Sequence, residues 1–262
     1  MSSTINTNQS SINAQRWLAS TQSSLQTSMA RLSSGLRVNT AKDDAAGMAI
    51  ASKLEATMRG TDVGVRNAND AISMAAMADG ALASVTANLQ RMRELAVQKA
   101  SGTISGDTDA TNAIDAELTL LTTENIRVVA NTKFNGVQLL SVGNTTAVEL
   151  GDGSTPVSFA TTFVAAIAIT SATATVANID TDLKNSNFMR AQYGATQNQF
   201  ESIVSNLRSN SESLATARGR IIDADYATET ANLTRAQVLQ QAGTAMVAQA
   251  NQAANGVLAL LR

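Results

Sequence analysis

Large apolar residues recur along both ends of the chain at alternating spacings of three and four. From Leu25 the positions run Leu25, Met29, Leu32 and Leu36, and upstream Ile5 and Ile12 stand seven apart. At the other end Leu239, Ala242, Met246, Ala250, Ala253, Val257 and Leu260 repeat the alternation, with Gln and Asn on the remaining faces. Such spacing lays one stripe along a helix and is the signature of a coiled-coil seam. The two ends are therefore expected to be partner helices. Ala at several seam positions lets helices approach closely but buries little area, so an isolated pair would be weakly held. The few large apolar residues of the first 36 do not offset the entropy of ordering that backbone. Both ends are expected to be disordered in a lone copy and helical once other copies supply buried surface.

Three longer helical patterns lie between the ends. Thr40-Ala41-Lys42-Asp43 fits a capping box and opens a helix reaching about residue 99, with a seam at Leu82, Val85, Leu89, Met92 and Ala96 and a break at Ser101-Gly102. A second helix is expected over about 107–130. The third has the cleanest repeat: Tyr193, Phe200, Leu207, Leu214 and Ile221 are each seven apart, with Thr196, Ile203 and Ala217 on companion positions, which predicts one long helix over about 178–217. Residues 134–176 differ, being rich in Val, Thr, Gly and Ser. Runs such as Ala147-Val148-Glu149-Leu150, Gly151-Asp152-Gly153 and Val157-Ser158-Phe159 read as hairpins. The expected fold is mainly α: a long helical coiled-coil bundle formed by the N- and C-terminal segments, with a small β-hairpin element in the middle.

Composition narrows the chemistry. With no Cys and no His among 262 residues, disulfides, thiol chemistry, thiolate or imidazole metal sites and Ser-His-Asp or Cys-His catalytic sets are excluded. Aromatics at 3% leave little to line a small-molecule pocket, and no cofactor or metal is expected. Asp43 and Asp44, or Asp223 and Asp225, can be imagined as paired carboxylates, but they read as helix caps and solvated loops, with no His, third acid or Gly-rich phosphate loop beside them. The methionines, among them Met48, Met58, Met74, Met77 and Met92, read as fillers of helix interfaces. A net charge of -2 without a Lys/Arg cluster argues against nucleic acid. The longest strongly apolar run, 163–169, falls far short of the roughly 20 residues a membrane span needs, so no membrane insertion is expected. The opening MSSTINTNQSS shows no cleavable secretion signal.

Charge is distributed unevenly. All 21 acidic residues lie between Asp43 and Glu229. Before them stand only Arg16, Arg31, Arg37 and Lys42, and after them only Arg235 and Arg262. Ends this weakly charged suit packing among many identical neighbours, where repulsion would otherwise accumulate.

Long motifs at both ends, in order, closely resemble the bacterial flagellin family. They include Leu32-Ser33-Ser34-Gly35-Leu36-Arg37, Thr40 to Ala51, Gln90 to Gln98 and Phe134-Asn135-Gly136. Toward the C-terminus they include Asp223-Ala224-Asp225-Tyr226-Ala227, Arg235 to Gly243, Ala248 to Gln252 and Leu258 to Arg262. Together they cover roughly 1–140 and 178–262. The resemblance implies a self-assembling filament subunit, located in the extracellular flagellum, of minimal form without large outer domains. It implies that 1–40 and 224–262 form a terminal coiled-coil inner tube, that 41–140 and 177–223 form a helical domain around it, and that 141–176 is a short variable hairpin segment. Under it, Ile5, Ile12, Leu25, Met29, Leu32, Leu36, Leu239, Met246, Val257 and Leu260 are the self-assembly seams.

The same resemblance implies export through the flagellar type III apparatus, and as partners a homo-polymer of many copies, an export chaperone on the C-terminal segment, a filament cap protein and a hook-filament junction protein. Arg91, Leu95 and Glu117 match positions at which flagellins are sensed by a Toll-like receptor. One departure is Glu124-Asn125-Ile126-Arg127, where the family usually places the apolar residue directly after the acid, so the register or packing of that helix is expected to differ locally. A chemoreceptor-type signalling coiled coil would need a membrane span or an uninterrupted hairpin, and an enzyme would need a site constellation this chain lacks. The nearest rival is a hook-filament junction protein of the same superfamily.

Overall fold

The computed structural model describes residues 7–101, 107–140, 144–151, 156–161 and 175–259. The order of elements is α1 (Gln9–Ser34), α2 (Ala45–Ala100), α3 (Thr108–Asn131), β1 (Lys133–Phe134), β2 (Val137–Gln138), β3 (Asn144–Val148), β4 (Val157–Thr161), α4 (Val176–Ile222) and α5 (Tyr226–Ala259). The mainly helical fold with a small β element between helices is the one expected.

Helix ends follow local chemistry. The Asn8 side chain accepts from Ser11 N at 3.0 Å and starts α1. Asp107 does the same for α3 through Asp109 N and Ala110 N, and Asp225 for α5 through Ala227 N at 2.9 Å and the Thr228 hydroxyl at 2.8 Å. Hydrogen bonds from the Thr228 hydroxyl, Thr228 N and Ala227 N hold the Asp225 carboxyl below its ordinary pKa. The capping box expected at Thr40–Asp43 is instead a closed turn. The Asp43 carboxylate accepts from Thr40 N and the Thr40 hydroxyl, both at 2.9 Å. The cap of α2 is Asp44, which accepts from Gly47 N at 2.8 Å. Gly35 ends α1 at φ 72, returning its N–H to Arg31 O; only Gly takes this left-handed angle without strain. Leu36, expected on the α1 stripe, therefore lies outside the helix. It bridges Asp223 and packs with Val38, Ala51 and Ile222.

The chain divides into two units, one of Met1–Ala56 with Leu214–Arg262 and one of Thr57–Ser213. In the second, the α2 seam is buried as expected at Leu82, Val85, Leu89, Met92 and Ala96, and α4 contributes Ile179, Met189, Tyr193, Phe200 and Leu207. Ile114 and Leu118 of α3, Leu139 and Leu140, and Val148 and Leu150 near the hairpin belong to the same cluster. β1 and β2 pair antiparallel around Asn135 and Gly136, both at positive φ, the geometry that Asn-Gly favours in a two-residue hairpin turn. β3 and β4 pair antiparallel with Ala147 opposite Ser158 and Val148 opposite Val157, so the expected hairpin forms. Of its turn, Gly151 is described at φ 71, while Asp152 and Gly153 lie outside the described residues.

Polar groups interrupt this core at one level. The Thr86 and Ser186 hydroxyls share a hydrogen bond of 2.9 Å, and Asn88 donates to Asn125 at 2.8 Å. The departure at 124–127 is resolved without a break in α3: Asn125 is 3% exposed and faces Met92, while Ile126 is 55% exposed. One turn before Ser186, Asp182 is 5% exposed, and burial pushes its pKa up to about 6.

Because the native pKa of Asp182 is raised, stability falls as pH climbs from the unfolded value near 4 to about 6 and stays low above it. Asp182→Asn keeps the shape and removes the charge. Thermal melts across pH should show the variant more stable at pH 7, by on the order of 2–3 kcal/mol, with the difference vanishing below about pH 4.

Candidate assembly surface

In the first unit α1 and α5 lie side by side, and their registers meet from end to end. Asn8 donates to Ala250 O and the Ser11 hydroxyl to Asn251, both at 2.8 Å. Leu18 packs over Gly243, where an added Cβ would stand 3.2 Å from Leu18 Cδ1. Arg31 approaches Glu229 at 3.8 Å, and the Tyr226 hydroxyl donates to Leu32 O at 2.9 Å. The residues turned inward on α1 are Ser11, Ala14, Leu18, Thr21, Leu25, Ser28 and Leu32, a run of alternating threes and fours. Those on α5 are Glu229, Leu233, Ala236, Gln240, Gly243, Val247 and Ala250.

This seam is short of apolar bulk, and much of the bulk faces away from it. Ile12, Trp17, Met29, Val238, Leu239 and Met246 are exposed, Trp17 at 73% and Met246 at 62%. Leu25 and Leu32 are half-buried in the pair. Of the stripe residues expected at the ends, Ile12, Met29, Leu239 and Met246 thus point outward, whereas Val257 lies in α5 with its side chain undescribed and Ile5 and Leu260 lie outside the described residues. A shallow groove of about 500 Å³ runs along the pair, from Trp17 and Leu239 at one end to Arg31, Glu229 and Arg235 at the other, past a row of Ser and Thr hydroxyls. Among the described residues no group of three His, Cys, Asp or Glu stands close enough to hold a metal ion, and no described helix is long and apolar enough to cross a membrane.

A second group of expected site residues lies where α2 meets α3. Arg91 Nε donates to Glu117 at 2.9 Å and Arg91 Nη1 to Glu94 at 3.2 Å, all three side chains being exposed to solvent. These hydrogen bonds, Glu117 first, hold the guanidinium above its ordinary pKa. Leu95 is one turn along from Arg91 but 2% exposed, inside the core. The structure joins Arg91 to Glu117 at the surface and sets Leu95 beneath them.

The model of the bacterial flagellin N-terminal helical region matches residues 5–145, and that of the C-terminal helical region matches 176–261. The chain belongs to the bacterial flagellin family. A flagellin of Halalkalibacterium halodurans is 40% identical over 98% of this chain and 99% of its own. The flagellar filament 33 kDa core protein of Treponema phagedenis is 36% identical over 98% and 99%, and Flagellin C of Vibrio cholerae is 32% identical over the full length of both. As a flagellin, the chain is a structural subunit that self-assembles into the flagellar filament, an extracellular appendage. What sequence reasoning missed in this flagellin is the inward seam: Ser11, Thr21 and Ser28 carry the heptad period, but polar residues leave no mark in an apolar pattern.

The two halves of the α2 group separate by denaturation. Urea unfolding should find Arg91→Ala nearly unchanged, because the pair is solvated. Leu95→Ala should lose about 2–5 kcal/mol through the cavity it opens.

Proposed function

We propose that this flagellin builds its filament by burying against neighbouring copies the apolar faces that α1 and α5 turn away from one another. The observation that supports this reading is the inverted pair: Ser11, Ser28 and Glu229 are buried in the seam while Trp17, Leu239 and Met246 face solvent. A patch of that kind is stabilised by association. In this reading Ile12, Met29, Leu239 and Met246 meet other copies, and Ile5, Val257 and Leu260 extend the same series. Leu25 and Leu32 hold the internal pair, and Leu36 locks the turn beyond it. Residues 1–40 and 224–262 line the inner tube, 41–140 and 177–223 surround it, and 141–176 form the variable hairpin segment.

The same surface accounts for the other partners of the reading. A lone copy with unsatisfied terminal helices is a substrate for an export chaperone on its C-terminal segment, and the filament's two ends meet a cap protein and a hook-filament junction protein. The work is mechanical, and the chain performs no catalysis. Arg91 and Glu117, paired and exposed beside each other on two helices, are the groups through which a flagellin-sensing Toll-like receptor would recognise the free subunit, with Leu95 supporting that face from below.

Trp17 is the sole tryptophan and reports assembly directly. Its emission should shift to the blue on polymerisation, and amides of α1 and α5 that exchange fast in the monomer should become protected. Leu239→Asp with Met246→Asp should abolish fibres in electron micrographs while leaving the melting of the second unit unchanged; normal fibres from that variant would refute the reading. Receptor signalling by monomer should fall at least about tenfold with Arg91→Asp, given how costly a reversed charge is at a paired contact, and unchanged potency would remove the assignment.

A further inference from the structure

Residues 149–151 run along α2, and at 150 and 151 no side chain separates the two backbones. Asn67 Nδ2 donates to Glu149 O at 2.8 Å. One turn earlier on the helix, a Cβ on Gly64 would fall inside the Leu150 carbonyl, and one turn before that a Cβ on Gly60 would fall inside the Gly151 carbonyl. Gly151 stands at φ 71, and a Cβ there would in turn strike Gly60 O. Three successive peptide groups therefore match three successive helical turns, at positions 67, 64 and 60. Contacts of a carbonyl with a glycine Cα this close supply weak hydrogen bonds, and only a residue without a Cβ permits them. Leu150 beside them is buried.

The hairpin this segment carries needs such an anchor. Among the described residues β3 and β4 pair only with each other, and an isolated two-stranded hairpin is marginal in water. The described side chains that tie it to the core are Val148, Leu150 and Val157. Gly60 and Gly64 are otherwise unfavourable in a helix interior, where glycine is the poorest residue after proline.

We propose that Gly60, Gly64 and Gly151, with Asn67, are positioning residues for assembly, holding 149–151 as a backbone strap that fixes the β3–β4 hairpin on the second unit. Copies in a polymer must offer one another the same surface, and a hairpin loose on its helix has to be ordered again in every copy. Only this last consequence rests on the filament reading.

Gly80 is the internal control, because it lies in the same helix and an added Cβ meets nothing within 4 Å. In the full-length chain, Gly80→Ala should raise the melting temperature, as an unstrained helical Gly→Ala does. Gly64→Ala should lower it and speed amide exchange in β3 and β4 by at least about tenfold, with the α2 amides beyond Gly80 unaffected. Asn67→Ala, which removes a bond without a clash, should shift exchange the same way by less. Gly64→Ala should also polymerise only at several-fold higher concentration, roughly three- to tenfold. A rise in melting temperature for Gly64→Ala with unchanged hairpin exchange would overturn the strap. Altered exchange with normal polymerisation would overturn its role in assembly. Failure of the unmodified chain to polymerise would refute the filament reading while the exchange comparison still decides the strap.

Discussion

The seam between α1 and α5 is the constraint on which the proposed assembly depends, because it sets register without supplying much energy. Hydrogen bonds from Asn8 to Ala250 and from Ser11 to Asn251 specify one alignment, as polar groups at seam positions do elsewhere at a cost in stability. Ala236, Gly243 and Ala250 allow close approach but bury little. Arg31 and Glu229 meet at only 3.8 Å, with Arg31 Nε buried and unpartnered, so this pair also contributes more to alignment than to cohesion. A helix pair of this kind is a shaped but weakly held element, and the apolar residues that could stabilise it are on its outside.

The second unit is constructed the opposite way. Phe200, Leu82, Leu89, Met92 and Leu118 are fully enclosed, and the ion pairs around them, Arg93 with Asp180 and Arg190 with Asp79, are solvated enough to matter little. Its buried polar groups Thr86, Ser186 and Asn125 have partners, Thr86 with Ser186 and Asn125 with the half-buried Asn88, which spares the core unsatisfied groups there. Asp182 is the member that is destabilising when ionised. One unit thus gathers a large apolar core of its own, although Leu120 and Phe188 remain exposed on it, whereas in the proposed assembly the apolar residues outside the other unit's helix pair are the ones that meet neighbouring copies.

How far this was legible depended on side-chain size. The seams of α2 and α4 stood out because Leu82, Leu89, Phe200 and Leu207 are large and strictly periodic. The terminal stripe was equally visible, yet the residues read as one seam divide: Leu25 and Leu32 face α5, while Ile12 and Met29 face out. Periodicity finds the apolar stripe of a helix but does not say which partner it meets. The true inner positions, Ser11, Thr21 and Ser28, look like solvent-facing residues in any hydropathy pattern. Spacing also carried α1 two residues too far, to Leu36, because the heptad count ignored the stop at Gly35. For Leu95, the four-residue step from Arg91 suggested a shared surface, whereas the three-residue step from Met92 turns it into the core. Gly60 and Gly64 were illegible because their reason is a backbone 86 to 91 residues further along the chain.

Electrostatics limits the same design. With no acidic residue before Asp43 or after Glu229, the ends carry only cations, and of these Arg31 is partly offset by Glu229. Copies meeting through these ends, as the proposed assembly has it, would therefore repel weakly, over a range of about 10 Å at ordinary ionic strength. Apolar burial grows with every large side chain that finds a partner, so in the proposed contact Trp17, Leu239 and Met246 would outweigh a few screened Arg and Lys residues. Placing acids at the ends to neutralise those cations would add ion pairs worth little at a surface and would bring buried charge into the contact. Leaving the ends nearly uncharged keeps association dependent on area and shape, which a chain of identical subunits repeats without change.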